Sequence, residues 1–227
     1  TGVVQPIKEI SNGLKSLESG LIFHSDVVQA VATTKIDFHN LGVQSAALSG
    51  HKIGGPKGIG FMFLSSEVKV PSFFHGGKQE LERRAGTVNV SGVASLSAAL
   101  DEQQKNITKQ NQNILKERTD FEEMIKHSLD VMVVGDSVKR LEHISNIQFK
   151  NIHSETLMVA LDLQGLGVSR GSACASGAQR PSHVLQAMKV SNDKINSHLR
   201  FSFGWNTQVG DGIKAAKIVL SSIEGMK

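Results

Sequence analysis

Apolar positions along the chain switch between helical and strand spacing. Ile7, Ile10, Leu14 and Leu17 recur at helical intervals and predict a helix over residues 7–17. Two short apolar runs follow, at 21–23 and 45–48, and each has the length of a buried strand. Gly54-Gly55-Pro56-Lys57-Gly58 then breaks the chain, and residues 59–65 predict a third strand. From 71 to 90 the period is lost around Gly76-Gly77 and the charged stretch 78–84, which reads as a long connection between two bodies. Val93, Leu100, Ile107, Ile114 and Phe121 next recur every seven residues, giving a long helix with one narrow apolar stripe. Polar Gln103, Gln104 and Asn111 occupy its second seam position, so the helix is expected to pack along a domain and not in a coiled coil. The remainder alternates: strands at 131–134 and 144–149, a helix at 154–163, a strand at 167–170, a helix at 182–188, a strand at 199–203 and a closing amphipathic helix at 213–226.

Composition narrows the function classes. Lys plus Arg number 25 against 21 Asp plus Glu, for a formal net charge of +4, and the basic residues are scattered, which argues against a nucleic-acid binder. The longest apolar run, 59–64, is strand-sized, so no membrane span is expected. The single cysteine, Cys174, rules out an intrachain disulfide and points to a reducing, cytoplasmic setting. Nothing at the start of the chain reads as a secretory signal. The nine histidines show no His-x-x-x-His spacing and no Cys-x-x-Cys exists, so no metal site is expected.

Candidate chemistry lies at the polar ends of the first two strands. In α/β folds, ligands sit beyond the carboxyl ends of parallel strands, where this chain places His24-Ser25-Asp26 and Ser49-Gly50-His51-Lys52. A lysine there is an ordinary surface residue, or an amine whose pKa burial lowers for Schiff-base chemistry. Asp26 favours the second use, because a pyridoxal phosphate enzyme needs a carboxylate against the pyridinium nitrogen as well as the lysine. The glycines of 54–60 lead into a strand and lack the Gly-Lys-Ser/Thr ending, so they read as a tight turn and not as a phosphate loop. Cys174, in Gly171-Ser172-Ala173-Cys174-Ala175-Ser176-Gly177 with Arg170 and Arg180 near it, reads equally as a small buried hydrophobe and as a reachable thiolate. Arg200, within an apolar strand, either points to water or turns inward and takes a carboxylate partner.

These residues resemble a family. His24-Ser25-Asp26-Val27-Val28-Gln29, Ser49-Gly50-His51-Lys52 with its glycine turn, Arg83-Arg84-Ala85-Gly86-Thr87, Ser169-Arg170-Gly171-Ser172-Ala173-Cys174-Ala175-Ser176-Gly177 and Leu199-Arg200-Phe201-Ser202-Phe203-Gly204 are similar, in order, to the cysteine desulfurases of the class V aminotransferase fold. The cysteine segment resembles the branch serving nitrogen fixation and iron-sulfur assembly. The resemblance implies an α/β fold: the later part of a fold type I large domain with a mixed, mainly parallel sheet (1–70), a phosphate-contacting connection (71–92), and a small α+β C-terminal domain carrying the cysteine loop (93–227). It implies pyridoxal 5'-phosphate held covalently by Lys52, which also moves the substrate Cα proton. Asp26 would meet the pyridine nitrogen, Gln29 the ring hydroxyl, Ser49 and His51 the phosphate, and Thr87 the phosphate of a second subunit in a homodimer. Arg200 would hold the carboxylate of L-cysteine, and Cys174 would take its sulfur as a persulfide for an acceptor or iron-sulfur scaffold protein, leaving alanine. It also implies a preceding region, with a ring-stacking histidine and further strands, ahead of the point where this chain starts; a partner chain, a self-association that covers the sheet, or truncation from the product of a longer gene is expected. Alternative readings are a selenocysteine lyase or other enzyme of the same fold, and a non-catalytic fragment that only dimerises or binds a scaffold.

Overall fold

A computed structural model describes residues 1–17, 20–170 and 182–226. The chain divides into two compact units, Gln5–Thr108, and Thr1–Val4 with Lys109–Lys227.

In the first unit, α1 (Ile7–Lys15) is an amphipathic helix whose buried Ser11 donates to the carbonyl of Gly42 at 2.7 Å. Strand β1 (His24–Asp26) precedes the short helix α2 (Phe38–Leu41), which Asp37 caps by accepting from the Asn40 N–H at 3.1 Å. Helix α2 ends at Gly42, whose φ of +72° suits glycine. Strand β2 (Ser45–Ser49) pairs in parallel with β1 and antiparallel with β3 (Gly60–Leu64), giving a mixed three-stranded sheet in the order β1-β2-β3. Ala46 and Leu48 point to one face, where they pack with Val27, Val31, Val43 and Ile53. Leu96, from the start of α3 (Val90–Ser128), joins the same core, and Phe63 stacks on Phe38 with ring centroids 4.7 Å apart.

Between β3 and α3 the chain makes a turn at Gln79–Glu82, with Glu80, Leu81 and Glu82 at φ of 52°, 57° and 63°. The turn is tied back by Ala85 N–H to the Phe74 carbonyl at 3.1 Å and by Gly86 N–H to Gln79 Oε1 at 3.2 Å.

In the second unit, β4 (Val131–Val133), β5 (Ile144–Phe149) and β6 (His198–Ser202) form an antiparallel sheet in that order, paired Val133↔Ile147 and Ile147↔Leu199. Alternation puts Ile147, Phe149, Leu199 and Phe201 on one face. They are buried with Phe121 and Ile125 of α3, Leu157 and Leu161 of α4 (Ser154–Leu163), and Ala216 and Val219 of α7 (Asp211–Glu224). Two short helices, α5 (His183–Ala187) and α6 (Asn192–Ile195), lead into β6, and Ser182 caps α5 by accepting from Leu185 N–H at 3.4 Å.

Three expectations are corrected. The apolar run 21–23 is not a strand; β1 is the polar triplet that follows it, because the ladder with β2 begins at His24↔Ser45, while Leu21 and Ile22 stay exposed. Residues 167–170 form only one bridge, Ser169↔Arg200. On α3 the seven-residue stripe does not start at Val93, which is exposed; Leu96 is the inward position, and the buried stripe further along holds Glu117, Arg118 and Glu122 among its apolar residues. Each makes at least one hydrogen bond: Glu117 Oε2 accepts from Gly212 N–H at 2.8 Å, Arg118 donates to the Leu141 carbonyl at 2.7 Å, and Glu122 takes two bonds from Arg140 at 2.7 and 2.8 Å, while Glu117 Oε1 and Arg118 Nε are buried without one among the described residues.

Candidate active site

Because β1 and β2 are parallel, their carboxyl ends lie at the same edge of the sheet. Asp26 ends β1 and Gln29 opens the turn after it; Ser49 ends β2, and His51 and Lys52 lie in the 3-10 turn Gly50–Ile53 that follows. The register Asp26↔Ala47 puts His24, Asp26, Ser45, Ala47 and Ser49 on one face of the sheet, opposite Ala46 and Leu48. The sequence therefore gathers five of its predicted site residues, Asp26, Gln29, Ser49, His51 and Lys52, at one end of one sheet.

Local bonds fix several of these groups. Asp26 Oδ1 accepts from Val28 N–H at 2.8 Å, which orients the carboxylate and leaves its other oxygen unpaired among the described residues. His24 Nδ1 and Ser45 Oγ, 2.9 Å apart, tie β1 to β2 on the same face. Ser49 Oγ lies 2.7 Å from His51 Nδ1. Lys52 is exposed and its amine has no partner among the described residues, so the burial expected of it from the sequence is not seen: it stands on a tight turn whose next residue, Ile53, is the one turned into the core.

That turn is closed by backbone alone. Gly50 N–H donates to the Ile59 carbonyl and Gly55 N–H to the Gly50 carbonyl, both at 2.9 Å. Gly60, the ladder partner of Ser49, passes so close to β2 that a Cβ on it would lie 2.4 Å from the Leu48 carbonyl oxygen. Only glycine fits there. Thr87 is exposed in the segment leading to α3.

Arg200 belongs to the second unit. It is half-buried on β6 opposite Asn146, and its backbone is bridged to Ser169 by bonds of 2.8 and 3.1 Å. Its Nε is buried without a hydrogen-bond partner among the described residues. Arg170, expected to favour a thiolate, instead pairs with Glu155 at 3.1 Å, so its charge is already partly matched. Cys174 and Arg180 lie outside the described residues.

His198 carries no signal in the sequence pattern. It is 3% exposed on β6, two residues before Arg200, and its Nδ1 is 2.9 Å from Asn146 Oδ1. Burial pushes its pKa down from 6.5 to about 4. The unfolded chain therefore takes up this proton before the folded one does, and stability present above pH 6.5 is lost as the pH falls through about 4. The expected loss is about 3 kcal/mol. Urea midpoints on either side of that window measure it, and His198→Phe should flatten the dependence; an equally steep variant would contradict this assignment. Among the described residues no helix is long and apolar enough to cross a membrane, and no group of three or more His, Cys, Asp or Glu is placed to hold a metal ion.

The chain matches known proteins along nearly its whole length. The family model for aminotransferase class V matches residues 1–212, and the chain belongs to that family. It is 38% identical over 225 residues to a protein of Bacillus subtilis named putative cysteine desulfurase IscS 1, covering 98% of this chain and 59% of that protein. It is 35% identical over 226 residues to cysteine desulfurase IscS of Methanosarcina thermophila, covering 100% of this chain and 55% of that one. The crystal structure of a NifS-like protein from Rickettsia africae superimposes with a TM-score of 0.86 at 30% identity, over 99% of this chain and 58% of the other. The fold is therefore that of the NifS-like, fold type I transferases, and the chain spans a little over half the length of the relatives it matches.

Proposed function

We propose that the protein is a pyridoxal-phosphate-dependent cysteine desulfurase that converts L-cysteine to L-alanine and carries the sulfur away as a persulfide on Cys174. The observation that carries this reading is the grouping of Asp26, Ser49, His51 and an unpaired Lys52 amine at one edge of the first sheet. That donor set fits the cofactor: an amine for its aldehyde, a carboxylate for its ring nitrogen, and hydroxyl, imidazole and helical-turn N–H groups for its phosphate. When bound, pyridoxal phosphate supplies an electron sink for the substrate Cα.

The remaining work falls to the chain. Asp26 holds a proton on the ring nitrogen, its Oδ1 already oriented by Val28. Gln29 positions the ring hydroxyl, and Ser49 with His51 grips the phosphate, joined by Thr87 from a second copy of the chain in a homodimer. Lys52 anchors the cofactor and moves the Cα proton at its Nζ. Arg200 takes the substrate carboxylate on the guanidinium whose Nε has no partner among the described residues. Cys174, as thiolate, attacks the substrate sulfur: a sulfur–sulfur bond forms, the carbon–sulfur bond breaks with its electron pair left on the substrate, and protonation there yields alanine. The persulfide then passes to an acceptor, with an iron-sulfur scaffold protein as the partner, in the cytoplasm.

The test is a visible spectrum after addition of pyridoxal phosphate, followed by borohydride reduction and peptide mapping. The fixed adduct is expected on the Lys52 peptide alone and is expected to vanish in Lys52→Ala. Cys174→Ala should keep the adduct and lose persulfide formation from L-cysteine. Labelling spread over many lysines, or a persulfide that persists in Cys174→Ala, overturns the reading.

A further inference from the structure

His198 and Arg200 are successive residues of one face of β6, and each carries a buried nitrogen, Nε2 and Nε respectively, with no hydrogen-bond partner among the described residues. Asn146 stands directly across from Arg200 in the ladder, and its Oδ1 engages His198 Nδ1 at 2.9 Å. An amide oxygen only accepts, so Nδ1 carries the imidazole proton and Nε2 presents a bare lone pair. Arg200 Nε–H, in contrast, only donates. The two orphan groups are thus complementary, an acceptor and a donor, on the same side of the same strand.

Same-face neighbours on a strand are about 6.6 Å apart along it, too far for a direct bond between their side chains at matched height. One oxygen accepting from Nε–H and donating to Nε2 sets the two nitrogens about 4.5–5 Å apart at the angle a water makes, a span open to side chains whose Cα atoms are about 6.6 Å apart. Buried polar groups in folded proteins are nearly always satisfied, and where protein partners are missing an ordered water does it.

We propose that His198, held by Asn146, is a positioning residue for Arg200: a buried water bridges His198 Nε2 to Arg200 Nε–H and fixes the plane of the guanidinium that receives the substrate carboxylate. The importance of Arg200 for substrate rests on the proposed desulfurase function; the bridge itself does not. A guanidinium presents two parallel N–H groups to a carboxylate only when its plane is set, and Nε is the atom through which the side chain is steered.

The experiment compares the parent with His198→Gln and His198→Leu by nitrogen–proton spectra of the arginine Nε–H groups, the Arg200 signal being assigned by its absence in Arg200→Lys. In the parent this signal should show a cross-peak to bound water and slow exchange. His198→Gln, whose amide oxygen reaches close to the position of Nε2, should keep both. His198→Leu should lose the cross-peak and exchange about tenfold faster or more, with the backbone amides of β5 and β6 unmoved. Equal exchange in the parent and His198→Leu, or a cross-peak to a protein group in place of water, overturns the bridge. For L-cysteine turnover, KM should rise about tenfold in His198→Leu with kcat nearly unchanged, and His198→Gln should restore it. If Arg200→Lys leaves KM untouched, the substrate role of Arg200 fails, and the exchange data still decide the bridge on their own.

Discussion

Gly212→Ala unfolds most of the second unit. A Cβ at this position, the second residue of α7, would lie 2.0 Å from the carbonyl oxygen of Glu117 and 2.8 Å from its carbonyl carbon. Both are backbone atoms of α3, so no side chain can rotate away and one helix must move off the other. That movement also breaks the bond from Gly212 N–H to the fully buried Glu117 carboxylate. The carboxylate sits in the first turn of α7, where unpaired N–H groups favour negative charge, and it would be left buried without that partner. The expected loss exceeds about 4 kcal/mol, a large share of the stability of an ordinary domain. Gly225 ends the same helix at φ −70°, where a Cβ would meet only the Ser221 and Ser222 carbonyl oxygens at 3.6 and 3.8 Å, and Gly225→Ala should change stability by no more than about 0.5 kcal/mol or raise it. Urea unfolding of the pair, followed by circular dichroism, decides it; equal midpoints would mean α7 can slide on α3.

Arg140→Met is expected to cost about 3–5 kcal/mol. Arg140 and Glu122 are 5% and 6% exposed at their side chains and share two bonds of 2.7 and 2.8 Å. Burial by itself would raise the Glu122 pKa, yet the Arg140 bonds, with the charges of Arg140 and Arg118, hold the carboxyl below its ordinary range. Removing Arg140 leaves a buried carboxylate whose nearest cation is Arg118 Nε at 3.8 Å. Adding Glu122→Gln removes that charge, and the double variant should recover at least half of the loss. Denaturant midpoints of both variants measure this, and a double variant no better than the single one would show that lost packing, not the stranded charge, sets the cost.

How far the sequence foretold the structure depended on what kind of signal each element carries. Helix α4 and strand β5 were read to the residue because their apolar spacing is the cause of their burial. Strand β1 was displaced because its residues, His24, Ser25 and Asp26, are polar, and only the ladder with β2 makes them a strand. The grouping of the candidate residues of the first sheet was legible for a related reason: polar residues at the end of an apolar run have no place in a core, and parallel pairing brings two such ends together. The Asn146–His198 pair was not legible, since it joins β5 and β6 diagonally and exists only in the folded register. Glu117 and Glu122 were not legible as buried charges, since their partners, the Gly212 N–H and Arg140, come from other elements and meet them only in the fold.

The Gly50–Gly60 turn holds Lys52 by two amide-to-carbonyl bonds, by the close passage of Gly60 over Leu48 and by the Ile53 side chain buried next to it. The placement of the lysine is thereby decoupled from the identity of its exposed neighbours. An exposed residue such as Lys57 can vary while the amine keeps its address, so variation concentrated at the exposed positions of this turn, with its glycines unchanged, is the pattern that divergence from a common ancestor would leave.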